Sequence, residues 1–87
     1  MKRLKRRKKV TPRTATAVDA YIGAQMRDRR TALGLSQAAL GAKLGVSFQQ
    51  VQKYESGVNR VSAARLFEIC KVLRVPLGSM FERDPTA

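Results

Sequence analysis

Residues Gln37–Tyr54 read QAALGAKLGVSFQQVQKY, and the fold turns on their spacing. Ser36 stands just ahead as an N-cap residue, and Leu40 and Leu44 follow at a four-residue interval, so a helix of barely two turns begins here. Gly45 breaks it with the residue type that tolerates positive φ. Ser47 then caps a second helix, with Val51 and Tyr54 four and seven residues on, and Gly57 stops it. Two short helices joined this tightly meet at a steep angle. A small residue must sit where the first touches the second, and Gly41 supplies it. Leu40, Leu44, Val46, Val51 and Tyr54 close the corner. The spacing predicts a helix-turn-helix.

Outward from this stretch the chain reads as further short helices, with no strand alternation and no internal repeat. A first helix runs from Val18 or Asp19 to Leu33, with Val18, Tyr21, Ile22, Met26 and Leu33 on one stripe. Gly34 ends it. Ser62 caps a fourth helix whose inner face is Leu66, Ile69, Cys70 and Leu73. Pro76 falls in the first turn of a short fifth helix that carries Leu77, Met80 and Phe81. The expected fold is therefore all-α, a compact five-helix domain over residues 18–83, with residues 84–87 frayed. A domain of about 65 residues buries only about 60% of its unfolded surface, so these apolar side chains are assigned to the core. Cys70 is read as a small hydrophobe among them.

Composition narrows the function. The 87 residues carry 18 Lys and Arg against 6 Asp and Glu, no His and one Cys, for a net charge of +12. No histidine–serine chemistry is possible, no zinc site is complete, and no apolar run is long enough for a membrane span. The expectation is a binding module, not an enzyme, with no metal, no cofactor and no membrane partner. A cytoplasmic location is expected. Eight bases fall in residues 1–17 without an acid: Lys2, Arg3, Lys5, Arg6, Arg7, Lys8, Lys9 and Arg13. Like charges repel and bury little, so residues 1–17 are expected to form a disordered basic arm. No apolar h-region follows, so the arm is not a secretory signal. Nucleic-acid phosphate is its expected target.

From Ile22 to Phe81 the chain resembles the Cro and lambda-repressor type of helix-turn-helix regulators, also called XRE-like. The residues that carry the likeness are Gly34-Leu35-Ser36-Gln37, Leu44-Gly45-Val46-Ser47, Gln49-Gln50-Val51-Gln52-Lys53-Tyr54-Glu55-Ser56-Gly57 and Val75-Pro76. The chain departs from the pattern at Arg29, where an apolar residue is usual, and at Gly41, where Ala is commoner. Arg29 is expected to lay its stem along the core with its head in water. Gly41 costs up to ~1 kcal/mol of helix propensity relative to Ala. The basic arm lies outside the resemblance.

The resemblance implies a lambda-repressor-like domain that places its third helix in the major groove of double-stranded DNA. The outward residues there are Phe48, Gln49, Gln52 and Lys53. Gln49 suits a bidentate pair with adenine, Lys53 suits guanine O6 and N7, and Phe48 either packs on a thymine methyl or folds back on the second helix. Phosphate contacts are expected from Gln37 and Ser47 at helix N-termini, from Ser56, Asn59 and Arg60 in the following loop, and from outward Lys43. Glu55 is an acid near the phosphates, and the family pattern pairs it with Arg30 as a structural ion pair.

Regulators of this type imply a homodimer on an inverted repeat, with half-sites ~34–36 Å apart. The dimer surface stays open, with Leu77 and Phe81 as candidates that core packing explains equally well. A further protein partner, polymerase or a co-regulator, also stays open. No sensing domain is expected after the fifth helix, so regulation is expected through abundance, oligomerisation or a partner. The leading expectation is a sequence-specific DNA-binding transcriptional regulator. The alternatives are an antitoxin-like protein-binding module and a sequence-indifferent nucleic-acid-binding protein dominated by its arm.

Overall fold

The computed structural model describes residues 16–82. Residues 1–15 of the expected arm, Arg83, and the expected frayed segment 84–87 lie outside the described residues. Four α-helices follow one another: α1 (Ala17–Ala32), α2 (Gln37–Leu44), α3 (Phe48–Ser56) and α4 (Ala63–Leu73). A 3-10 helix over Leu77–Phe81 closes the order. All regular structure among the described residues is helical, in agreement with an all-α fold.

Local chemistry explains each boundary. Ser36, Ser47 and Ser62 are the N-caps of α2, α3 and α4, and each hydroxyl accepts the backbone N–H three residues on. Gly45 follows α2 at φ +77°, a left-handed conformation that penalises any side chain with a Cβ. The Gly45 and Val46 N–H groups both donate to Gly41 O, so the turn satisfies the end of α2 and launches α3. α1 begins earlier than the apolar stripe suggests. Its N-cap is Thr16, whose hydroxyl accepts from Asp19 N while the Asp19 carboxylate accepts from Thr16 N–H, a reciprocal capping box.

The core forms where the four helices converge. Met26, Leu40, Val51, Ile69 and Leu73 are fully buried, and Ile22, Leu66, Cys70 and Met80 complete the cluster. Burial pushes the Cys70 thiol above its ordinary value, which fits a packing residue and not a nucleophile. α3 packs against both α1 and α2. Its approach to α1 is close: a Cβ added at Gly23 would lie 2.4 Å from Tyr54 O, and one at Gly57 would lie 2.7 Å from Ala20 Cα.

Four expectations need correction. The fifth element is a 3-10 helix, and Pro76 is its N-cap, not a residue of its first turn. Ser79 explains the tighter winding, because both its N–H and its hydroxyl donate to Pro76 O, three residues back. With three residues per turn Phe81 is rotated off the side that Met80 buries; Phe81 is 49% exposed and Leu77 45%, so neither is core. Leu33 also lies at the surface, as the C-cap of α1. Finally, the Arg29 head does not simply enter water. Its Nε donates to Leu73 O at 3.0 Å, capping a carbonyl at the end of α4.

Candidate nucleic-acid interface

The nine residues of α3 divide between two faces, with half-buried Gln50 at their boundary. Val51 and Glu55 are buried and Tyr54 is half-buried, turned toward the other helices. Phe48, Gln49, Gln52 and Lys53 are exposed, together with Ser56. A helical period of 3.6 places Gln49, Gln52, Lys53 and Ser56 on one continuous strip opposite Val51. Phe48, 39% exposed, stands at the edge of that strip at the first residue of the helix. The strip offers two side-chain amides, an ammonium and a hydroxyl. Such groups can exchange hydrogen bonds with a polar surface.

Beneath the strip lies a network of three side chains. Arg30 of α1 donates through Nε to Glu55 Oε2 at 2.6 Å and through Nη2 to Oε1 at 3.0 Å, both deep in the protein. Its Nη1 donates to Leu35 O at 2.8 Å, which ties down the α1–α2 loop. The hydrogen bond to Glu55 raises the guanidinium above its ordinary pKa, against the opposing effect of burial. Gln37 joins from the start of α2, its Nε2 donating to Glu55 Oε1 at 3.0 Å. Glu55 is therefore a hub between α1, α2 and α3, and the Gln37 amide faces this hub. Arg27, Arg30, Ser36, Gln37, Gln52, Glu55 and Ser56 line a shallow groove of about 520 Å³ beside the exposed strip.

The remaining candidate contacts are distributed around α3. The Ser47 hydroxyl accepts from Gln50 N, so it is occupied as a cap. Ser56 Oγ donates to Lys53 O at 3.2 Å. Asn59, half-buried, donates its backbone N–H to the same carbonyl, which folds the α3–α4 loop back on the helix. Arg60, in this loop, donates through Nε to Asp19 Oδ2 at 3.2 Å. Lys43 is exposed on α2, beside Leu44, Glu68, Lys71 and Val72.

Sequence reasoning missed several of these ties. Arg65 of α4 donates through Nη1 to Leu44 O at 2.9 Å, capping the end of α2, and to Glu68 Oε1 at 3.0 Å. Arg27, on the groove wall, was not singled out either. Its signal was an arginine one turn before Arg30, on a helix whose opposite side is apolar. No group of three or more potential metal ligands occurs among the described residues, and no helix there is long and apolar enough to cross a membrane.

Comparison with known proteins gives the frame for this geometry. The helix-turn-helix family profile matches residues 26–79, which include α2, the turn and α3 entire. The chain belongs to the helix-turn-helix family. One relative is an uncharacterized transcriptional regulator in the ATPase CF(0) region of Rhodospirillum rubrum, 55% identical over 69 residues, covering 79% of this chain and 64% of that protein. The chain spans half to two thirds of the length of the first curated relatives it matches. Among solved structures, the restriction-modification controller protein C.AhdI of Aeromonas hydrophila is similar at a TM-score of 0.71 and 29% identity, over 76% of this chain and all of that one. The P22 c2 repressor, solved with a synthetic operator, is similar at 0.65 and 28% identity, over 72% of this chain and 96% of that one. The lambda-repressor-like assignment of this helix-turn-helix domain follows from these likenesses.

Proposed function

We propose that this helix-turn-helix protein is a sequence-specific transcriptional regulator that binds double-stranded DNA. In this reading α3 lies in the major groove and presents Phe48, Gln49, Gln52 and Lys53 to base edges. Gln49 pairs with adenine and Lys53 with guanine, while Phe48 packs on a thymine methyl. The observation that carries the reading is the division of α3: its buried side is anchored by Val51 and the Arg30–Glu55 pair, and its exposed side holds the hydrogen-bonding groups. The likeness to an operator-bound repressor supports it.

Phosphate contacts from Gln37, Lys43, Ser47, Ser56, Asn59 and Arg60 fix the register and carry little sequence information. For Gln37 and Ser47, whose side chains are engaged, the backbone N–H groups at the helix N-termini make the contact. The arm bases Lys2, Arg3, Lys5, Arg6, Arg7, Lys8 and Lys9 add sequence-independent affinity. Two copies bind an inverted repeat, and the protein acts in the cytoplasm without enzymatic chemistry. A second reading, a protein-binding module of the antitoxin kind, draws support from exposed Phe67, Leu77 and Phe81.

Selection of random duplexes by the purified protein at ~150 mM salt, where non-specific binding is weak, tests the proposal. Enrichment of an inverted repeat with half-sites about one helical turn apart is expected. Absence of any enriched sequence would remove the base-reading roles of Gln49 and Lys53. Stoichiometric co-purification of a second protein, with no enriched sequence, would favour the protein-binding reading.

A further inference from the structure

Asp19 sits at the third position of α1, 8% exposed, with one oxygen that gathers three donors. Thr16 N–H lies at 2.8 Å from Oδ2, the Thr16 hydroxyl at 3.0 Å and Arg60 Nε at 3.2 Å. The first contact, with the Asp19 N–H donated to the Thr16 hydroxyl oxygen, makes the capping box, so α1 has its N-terminal hydrogen bonds without Arg60. Arg60 comes from the α3–α4 loop, 41 residues away, and its side chain is 43% exposed. The arginine end of this pair is open to water, which limits what the pair adds to stability. The pair gives the guanidinium an anchor through Nε. Gly57, against Ala20, brings the start of this loop close to the first turns of α1, so the carboxylate stands immediately behind the loop that leaves α3.

We infer that Asp19 is a positioning residue for DNA binding: it holds the Arg60 guanidinium at the surface beside the end of α3, oriented in advance to meet a backbone phosphate. The inference rests on the DNA-binding reading above. An arginine held in its bound orientation loses less conformational freedom when the phosphate arrives. Simple charge counting makes the opposite forecast. Removing an acid from a basic protein strengthens its attraction to DNA, whereas removing a positioning contact weakens binding.

The test is fluorescence anisotropy of the full chain with a labelled random-sequence 30-base-pair duplex pool, over a series of salt concentrations and well below the melting temperature. D19N keeps an acceptor for Thr16 N–H and is expected to weaken binding about three- to tenfold. In an R60Q background D19N is expected to cause no weakening. R60K, which keeps the charge but loses the planar donor, is expected to weaken binding with the salt slope unchanged. T16A removes the hydroxyl that caps Asp19 N–H and touches Oδ2 but keeps the Asp19 carboxylate for Arg60; it is expected to lower the melting temperature and to weaken binding less than D19N does, which separates stability from positioning. D19N binding as tightly as the natural chain or tighter overturns the inference, as does an equal D19N effect with and without Arg60. Either result leaves the DNA-binding reading standing. A natural chain that fails to bind the pool even at low salt overturns both.

Discussion

Arg30 and Glu55 form a two-point ion pair that fastens α1 to α3 across 25 residues of sequence, their side chains only 9% and 4% exposed. Glu55→Ala leaves the guanidinium charged and buried without its partner. The expected loss is about 3–5 kcal/mol in equilibrium urea unfolding. The double variant Arg30→Met, Glu55→Leu should lose less than the sum of the single changes, because no lone charge is left behind. A single-variant loss below about 1 kcal/mol would mean that the pair is incidental to the fold.

Gly23 sets how closely α1 approaches α3. Alanine is the better helix former by up to ~1 kcal/mol. Its Cβ, however, would lie 2.4 Å from Tyr54 O and 2.5 Å from Glu55 O, both backbone atoms. Gly23→Ala is therefore expected to destabilise by about 1–3 kcal/mol net, read as a lower melting temperature. A rise in melting temperature would show that the two helices separate at little cost.

Arg74 ends α4 with φ +61° and ψ +44°, the only left-handed residue other than glycine among the described residues. A side chain with a Cβ costs about 1–2 kcal/mol in this conformation. Arg74→Gly should stabilise the domain by about 1 kcal/mol, less whatever flexibility glycine adds to the unfolded chain. Chemical denaturation of the two chains side by side gives the sign directly.

Acid should act through Asp19. Burial favours its neutral form, but the Thr16 backbone and hydroxyl hydrogen bonds and the Arg60 guanidinium outweigh it, holding the carboxyl below its ordinary value of 3.8. The sign follows: the unfolded chain takes up this proton first. The stabilisation is complete above 3.8 and fades as pH falls through the lower folded-state value. The stability gap between the natural chain and Asp19→Asn should narrow over that interval in a pH series of urea melts. A gap that widens in acid would contradict the assignment.

The basic arm is expected to govern strength and not choice. Each phosphate neutralised changes the logarithmic salt slope by ~0.9. Deleting residues 2–9 should lower affinity and flatten that slope while the preferred sequence stays the same. A changed preference would mean that arm residues touch base edges.

Sequence position carried much of this architecture, and for a physical reason. The serines at 36, 47 and 62 act on N–H groups three residues away, and Gly45 and Gly57 act on their own backbone, so neighbours in the chain suffice to recognise them. The outward strip of α3 was legible because one buried side fixes the other. Distance along the chain defeated the rest. Gly23 is ordinary until Tyr54 and Glu55 arrive above it, and Arg65 looks like a solvent-facing cation until Leu44 O is found within reach. A helix N-terminus assigns Gln37 to phosphate, and the loop that runs beside the backbone in the family assigns Arg60, while the carboxylates facing them come from 18 and 41 residues away. The closing turn was misjudged because Leu77, Met80 and Phe81 have α-helical spacing, while Ser79 and Pro76 impose the tighter winding.

The arginines that end on backbone carbonyls have one more consequence. Arg29, Arg30 and Arg65 reach Leu73, Leu35 and Leu44, each closing a helix or a loop with a flat, multi-pronged donor. Replacing all three by lysine would leave the +12 charge at pH 7 and electrophoretic behaviour at neutral pH nearly as they are, yet loosen the joints of the domain. Electrophoresis and solubility at neutral pH would not register the change. Amide exchange at the ends of α2 and α4 would. In this molecule, a conservative exchange of like charges is a mechanical lesion rather than an electrical one.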